Sequence, residues 1–355
     1  HSFPTRRSSD LKKILAVILS VAMVLSMAAC SSSSSNTQQS NDDSSTNTAE
    51  ATGDLENFDI VLDWYPNAVH SFIYVAMEKG YYEEEGLKVN VQFPSNTNDA
   101  ISLTAAGKAD AGLYYQPNII SVAANQNIPI KVLGTVVQHP LNVVMSLKES
   151  NINGAKDLAG KVVGYPGTTD NEFFIKAMME HNGLSYDDVT MQDVGFDLNT
   201  ALITGNVDAV IGTYINHEYP TLLQEGYDVT YFNITDEGVP DYEELVLITG
   251  EDQVKNESDK LERFIRASKK GFEDVLADPQ AALDILLKNQ DEANYPLDPN
   301  VEQASMEILL PLMTSDEHGF LEINKDSWTE DIDWLKEQGL LEGEITADDL
   351  IANLE

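Results

Sequence analysis

Two α/β lobes are predicted, each a mostly parallel sheet covered by helices, with a cleft between them. Three observations carry that expectation. From residue 56 onward, short apolar runs rich in β-branched residues alternate with segments of helical periodicity, the pattern of a parallel sheet flanked by helices. The alternation is then repeated further along the chain. Finally, a Gly-x-x-Asp-Ala signature sits at the same step of both rounds. It appears in "TAAGKADAGLYYQ" as Gly107, Asp110 and Ala111, and in "LITGNVDAVIGTY" as Gly205, Asp208 and Ala209. One such match is common; its recurrence within the same order of elements is not.

In the first round "FDIVLDW" reads as a strand. Val69, Phe72, Ile73, Ala76 and Met77 follow at helical spacing, and Gly80 ends that helix. "LKVNVQF" alternates as a strand, "NDAISLTAAG" is a helix, "ADAGLYY" a short buried strand, "QPNIISVAANQN" a helix and "PIKVLGTVV" a strand. In the second round "GKVVGYP", "VTMQDVG" and "VDAVIGTY" are strands, separated by the helices "DNEFFIKAMMEHNG" and "DLNTALITG". The strands of this lobe are expected to end near "LVLITG", residues 245–250. Everything beyond is helical and acidic, and is expected to pack back on the first lobe, with Trp328 and Trp334 as packing residues. Lobe 1 then comprises residues 55–140 and 250–355, lobe 2 residues 141–249, and the chain crosses near 138–143 and 245–250. A double connection of this kind makes a hinge. In open α/β sheets ligands sit beyond the carboxyl ends of the strands, so the strand-end loops of both lobes should face the cleft.

The part before residue 55 reads differently. "HSFPTRRSSDL", residues 1–11, looks like a translated sequencing-library adapter and is set aside. Residues 12–29 have the layout of a secretory signal: Lys12 and Lys13, a 16-residue apolar run from Ile14 to Ala29 interrupted by two serines, and small residues before a cleavage site. A spanning helix needs roughly 20 apolar residues, so a cleaved signal is the better reading. Cys30 is the only cysteine, which excludes an internal disulfide and argues against a thiolate metal site. "SMAAC" resembles a bacterial lipobox, with Met27 where leucine is preferred; the resemblance implies acylation of Cys30. Residues 31–54 are rich in Ser, Asn and Thr and too poor in apolar residues to fold, so residues 30–54 read as a tether.

The formal charge is −38. Residues 1–29 carry Arg6, Arg7, Lys12 and Lys13 against Asp10, so their removal leaves −41. Such a surface repels nucleic acid and anionic headgroups. The six histidines show no metal-ligand spacing, and no glycine-rich nucleotide loop, G-x-S-x-G elbow or zinc motif appears. No cofactor is expected.

"LDWYPNAVHSFIYVAMEKGYYEEEGLKVNV", "TAAGKADAGLYYQP", "DLAGKVVGYPGTTDNEFFIKAM" and "GNVDAVIGTY" together resemble the substrate-binding lipoproteins of ABC importers. They are similar, within these, to the branch related to thiamine-pyrimidine synthases, whose importers capture a formylated aminopyrimidine. The resemblance runs from about Leu55 to the C-terminus. It implies a type II periplasmic-binding-protein-like fold, a permease with a cytoplasmic ATPase as partner, a lipid-anchored extracytoplasmic location and a monomer. Relatives in the same broad group take riboflavin, alkanesulfonates or nitrate, and these remain alternative ligands. The synthases carry, around "GLYYQPN", a lysine that holds pyridoxal phosphate and a histidine four residues on. This chain has Tyr114 and Asn118 there, and lacks their cysteine-rich motif, so a binding protein is expected rather than an enzyme.

A flat aminopyrimidine is held by rings on its faces and a carboxylate at its edge. Trp64 and Asp63, at the end of the first strand, are expected to supply one ring and one acid. Tyr214 and Glu218, four apart after a second-lobe strand, would share one face of a helical turn. Lobe closure would place the ligand between Trp64 and Tyr214. By position, Tyr115 and Gln116 end a first-lobe strand, and Gly167, Thr168 and Thr169 precede a helix whose free N–H groups can meet an acceptor. Asn67 and His70 start the first helix. The bland readings are a packed tryptophan, capping residues and solvated acids.

Overall fold

The computed structural model describes residues 55–291, 295–315 and 317–354. The adapter-like stretch, the signal, Cys30 and the tether all lie outside the described residues.

Ten strands among the described residues form two five-stranded sheets. They are β1 (Glu56–Val61), β2 (Leu87–Gln92), β3 (Ala111–Tyr114), β4 (Ile130–Val137), β5 (Asn142–Leu147), β6 (Val162–Tyr165), β7 (Thr190–Asp193), β8 (Ala209–Tyr214), β9 (Val229–Asn233) and β10 (Leu245–Gly250). The first sheet has the order β2-β1-β3-β10-β4 and the second β7-β6-β8-β5-β9. β1 runs parallel to β2 and β3, while β10 is antiparallel to β3 and β4. The second sheet repeats this: β6 is parallel to β7 and β8, and β5 is antiparallel to β8 and β9. Each sheet is thus mostly parallel with one reversed strand, and the two share one order.

That order corrects one expectation. Leu245–Gly250 closes the first sheet, between β3 and β4, and not the second. The crossings between lobes are therefore residues 138–141, between β4 and β5, and residues 234–244, between β9 and β10. Leu245 to Ile248 are at most 2% exposed. A run buried on both faces reads alike in either sheet, so its pattern carried no address. The edge strand β9 and the reversed strand β5 had no counterpart in the sequence reading.

The recurrent signature has a physical cause. Asp110 donates its backbone N–H to the Asp59 carbonyl (2.8 Å), and its Oδ2 accepts from the Asp59 N–H (2.7 Å). Asp208 does the same to Val162, at 2.8 and 2.9 Å. In both lobes the aspartate side chain adds one rung to the ladder just before the strand. Gly107 and Gly205, at φ +64° and +70°, end the helices that lead into these strands.

The C-terminal helices pack on the first lobe. In helix Ser258–Ala277, Leu261, Phe264 and Phe272 belong to that lobe's core. The Phe264 ring stacks on Phe58 (4.2 Å between centroids) and on Tyr82 (5.1 Å). Trp328 is fully buried in helix Lys325–Glu337, while Trp334 packs against the cores of both lobes. The second lobe has one core on each face of its sheet, around Phe174 and Met178 on one side and around Leu202 and Leu222 on the other.

Candidate ligand-binding cleft

β1 ends at Val61, and the chain turns through Asp63 to Asn67 before the short turn Ala68–His70 and the helix Ser71–Glu78. Asn67 and His70 cap each other: Asn67 Oδ1 accepts from the Val69 N–H and His70 Nδ1 from the Asn67 N–H, both at 3.1 Å. With Nδ1 accepting, the ring proton lies on Nε2, which donates to Asp63 Oδ1 at 3.0 Å. The Tyr115 hydroxyl donates to Asp63 Oδ2 at 3.2 Å. The capping of one helix and the end of β3 thus fix the orientation of a carboxylate that is 5% exposed.

Asp63 faces a cleft of about 680 Å³, open solvent at its mouth included. Asp63, Trp64, Asn67, Thr97 and Tyr115 line it from the first lobe; Thr168, Asp170, Tyr214, Asn216, His217 and Glu218 line it from the second. Leu141, Asn142 and Leu245, at the ends of the two crossings, also line it. Gly212 also lines it, at φ +82°, where a Cβ would lie 2.6 Å from Pro166 Cδ. Only glycine fits there, and its N–H donates to Asn142 Oδ1 (2.9 Å), which holds the β8 end against the crossing.

The lobes touch around this cleft. The Trp64 ring meets Phe196 edge-on at 4.5 Å, and Tyr65 meets the same ring at 5.0 Å. Asn216 Nδ2 donates to Ser305 Oγ (3.0 Å), and Thr169 Oγ1 donates to Asn118 Oδ1 (3.0 Å). His217 Nδ1 lies 2.8 Å from Glu218 Oε1, and its Nε2 lies 3.9 Å from Glu302 of the first lobe. The arrangement is closed.

Three carboxylates, Asp63, Asp170 and Glu218, line the cleft, and no lysine or arginine does so among the described residues. Burial pushes the Asp170 carboxyl up against hydrogen bonds, Thr168 first, that pull it down. Burial pulls His217 down, but Glu218 and Glu302 outweigh it and hold the imidazole at about 9. Burial also keeps Tyr115 and Tyr214 well above the ordinary phenol value, so both remain protonated donors. Asn216 Oδ1 is buried without a hydrogen-bond partner among the described residues. An acceptor left in that state inside a cleft suits a donor on a ligand.

Of the residues singled out from the sequence, Asp63, Trp64, Asn67, Tyr115, Thr168, Tyr214 and Glu218 come together at the cleft. Four do not line it. His70 is fully buried behind Asp63, and Gln116 is fully buried, accepting from the Glu243 N–H at 2.8 Å. Thr169 bonds Asn118, and Gly167, at φ +78°, packs against Asp193. These supply support rather than lining. Asp170, Asn142, Asn171, Asn216 and His217 line the cleft but were not singled out. The polar runs "TTDN" and "YINHE" at strand ends were the signal that could have found all of these but Asn142, which opens a strand in "PLNVVM".

A family described as NMT1/THI5 like matches residues 67–282, a stretch that takes in all the cleft residues from Asn67 to Leu245. The chain belongs to this family. The formylaminopyrimidine-binding protein of Halalkalibacterium halodurans is 46% identical over 309 residues, covering 87% of this chain and 93% of that protein. The 4-amino-5-hydroxymethyl-2-methylpyrimidine phosphate synthase of Aspergillus parasiticus is 27% identical over 240 residues, covering 64% of this chain and 69% of the enzyme. Among solved structures, the aliphatic sulphonate binding protein SsuA of Escherichia coli superposes with a TM-score of 0.65 at 14% identity, covering 84% of this chain and 92% of that one. This likeness establishes the fold alone: the two-lobed α/β architecture seen in SsuA. No helix among the described residues is long and apolar enough to cross a membrane.

Proposed function

We propose that this protein is the extracytoplasmic capture subunit of an ABC importer and that it takes a flat aminopyrimidine. N-formyl-4-amino-5-aminomethyl-2-methylpyrimidine is the type. One observation carries the choice of ligand. The cleft is lined by three carboxylates and by tyrosine hydroxyls and carboxamides, without a lysine or arginine among the described residues. Protonated His217 offsets Glu218, and the lining still carries net negative charge from Asp63 and Asp170, which disfavours a sulfonate or nitrate, whereas an exocyclic amine and a ring nitrogen that gains a proton both donate to carboxylates. The 46% identity to a formylaminopyrimidine-binding protein supports the same reading.

In this reading Asp63 binds the amino edge of the ring, and Trp64 and Tyr214 cover its two faces. Asn67, Tyr115, Thr168 and Glu218 offer further polar contacts, with the formyl oxygen met by donors near Thr168. Each stacked ring adds roughly 0.5–1.5 kcal/mol beyond burial, against about 8 kcal/mol for micromolar binding. Edge hydrogen bonds and desolvation supply the remainder. His70, Gln116, Gly167 and Thr169 hold the lining in place.

A binder is favoured over a synthase because of what stands at the positions where the synthases carry lysine and histidine. The Tyr114 hydroxyl donates to Asn98 Oδ1 (2.9 Å), and Asn118 accepts from Thr169. Among the described residues no primary amine lines the cleft to form a Schiff base. The signal-like residues 12–29 and Cys30 support export and lipid anchoring, with a permease and its ATPase receiving the ligand from a monomer.

A thermal-shift panel tests the reading. The formylaminopyrimidine should raise the melting temperature, since it binds only the folded state; riboflavin, taurine and nitrate should not. A shift with taurine or nitrate alone overturns the assignment.

A further inference from the structure

We propose that Glu244, on the second crossing between the lobes, is a positioning residue. Its carboxylate orients the Tyr214 hydroxyl and ties that ring to both crossings, so the protonation state of Glu244 sets how tightly the cleft holds its ligand. The inference rests on the reading above in which Tyr214 covers a face of the ligand.

Glu244 is 1% exposed and lies immediately before Leu245, which lines the cleft. Its Oε2 accepts from the backbone N–H groups of Leu141 (2.7 Å) and Asn142 (3.0 Å), on the first crossing, and from the Tyr242 hydroxyl (3.2 Å). Its Oε1 accepts from the Tyr214 hydroxyl at 2.9 Å. One side chain therefore joins both crossings to a second-lobe strand. The connection continues: Asn142 Nδ2 donates to Asn171 Oδ1 (2.9 Å), and Asn171 Nδ2 donates to Thr168 Oγ1 (2.7 Å). The adjacent Glu243 faces the other way, accepting from the Trp328 indole (2.6 Å) and the Asn324 N–H (2.8 Å). It fixes the crossing to the first lobe, and Glu244 connects that fixed point to the cleft.

All four partners of Glu244 are donors. Only the ionised carboxylate accepts from all of them; a neutral carboxyl has a proton of its own to place and finds donors on every side. The two N–H groups cannot turn, so a hydroxyl must reverse. A reversed Tyr214 hydroxyl turns its proton away from Glu244 and alters the donor pattern of the cleft. Burial pushes the Glu244 carboxyl up to about 7, the backbone and Tyr214 donors pull it down, and Asp170 adds to the rise. The charged or titratable groups facing it are Asp170, Tyr115, Tyr214 and Tyr242. The tyrosines stay protonated throughout the range concerned. Glu244 is neutral below about 7 and charged above it, so its contribution to ligand affinity rises as pH increases through that value, a step opposite in sign to the fall that proton uptake by the ligand ring gives in every variant.

The test compares wild type, Glu244→Gln and Tyr214→Phe between pH 5.5 and 8.5. One readout uses no ligand: NMR of ring-¹³C-labelled tyrosine, with the Tyr214 Cζ resonance assigned by its loss in Tyr214→Phe. In wild type it should move with a midpoint near 7, and in Glu244→Gln it should stay flat. The second readout is calorimetric binding of the formylaminopyrimidine. Glu244→Gln should bind about tenfold more weakly than wild type at pH 8, the scale of one charge-assisted hydrogen bond, and should lose the rising pH step. Combined with Tyr214→Phe it should add nothing further. A flat Tyr214 resonance in wild type, or a rising pH step that survives in Glu244→Gln, overturns the proposal. If Glu244→Gln does not fold, the rising pH step should be missing from Tyr214→Phe, and its persistence there overturns the proposal equally. Failure of wild type to bind any aminopyrimidine would instead count against the ligand assignment, while the NMR titration still decides the role of Glu244.

Discussion

Replacing Asp63 by asparagine separates ligand recognition from folding. The carboxylate holds two protein donors, His70 Nε2–H at 3.0 Å and the Tyr115 hydroxyl at 3.2 Å, and faces the cleft with its remaining lone pairs. Asparagine keeps the shape and one acceptor. Its NH₂ then opposes a former donor, and the Tyr115 hydroxyl is the partner that can turn to accept. The expected cost to stability is about 1 kcal/mol, one neutral hydrogen bond. The cost to binding is larger, because the charge is lost as well. A charge-assisted bond contributes about 1.5–3 kcal/mol, which is roughly 10- to 150-fold in affinity. Titration calorimetry on Asp63→Asn, with a urea melt of the free protein, reads both. Affinity within twofold of wild type, in a protein that folds normally, would refute the assignment of Asp63 to the edge of the ring.

Other outcomes follow from the same geometry. Trp64→Ala should weaken aminopyrimidine binding about tenfold or more by removing a stacking face together with the ring area buried against the ligand, while the melt of the free protein changes little; an equal fall in both makes Trp64 a packing residue against Phe196. His217, in contact with Glu218 and near Glu302, is held at about 9 against an ordinary 6.5. Its contribution to stability is fully present below 6.5 and is lost as pH rises through about 9. The melting temperature should therefore fall between pH 7 and 10 more steeply in wild type than in His217→Gln, and parallel curves would contradict the ion-pair role. Asp110→Ala removes the extra rung to Asp59 and the 2.7 Å bond from Lys260. It should cost about 1–3 kcal/mol in a urea melt, and a change below 0.5 would mean that the repeated aspartate is not what holds the strand.

The two-lobed architecture was legible because alternation at period 2 and period 3.6 is written residue by residue, and because the Asp110 and Asp208 rungs repeat in sequence what they repeat in space. The exchange of β10 was not legible. Leu245, Val246, Leu247 and Ile248 are buried whichever sheet receives them, and the choice depends on how the crossing packs through Glu243 and Glu244. β9 escaped notice as a short edge strand in which Tyr231 is exposed. At the cleft, the acid and rings of Asp63, Trp64 and Tyr214 stood out because a strand-to-helix turn does not need them. The carboxamides Asn142, Asn171 and Asn216 did not, since asparagine in a turn is ordinary and only the fold brings these three together. His70 and Gln116 were placed one layer too far forward: their sequence positions were near the site, but their side chains point into the lobe.

The central claim is that the cleft selects a ring with donors at its edge and refuses added negative charge. It is tested most directly by comparing 4-amino-5-hydroxymethyl-2-methylpyrimidine with its phosphate ester, in one calorimetric experiment at pH 8. The ring is the same in both. With His217 protonated and paired to Glu218, Asp63 and Asp170 leave the lining net negative, so the phosphate ester should bind on the order of tenfold more weakly than the alcohol. Equal binding, or tighter binding of the ester, would contradict the account.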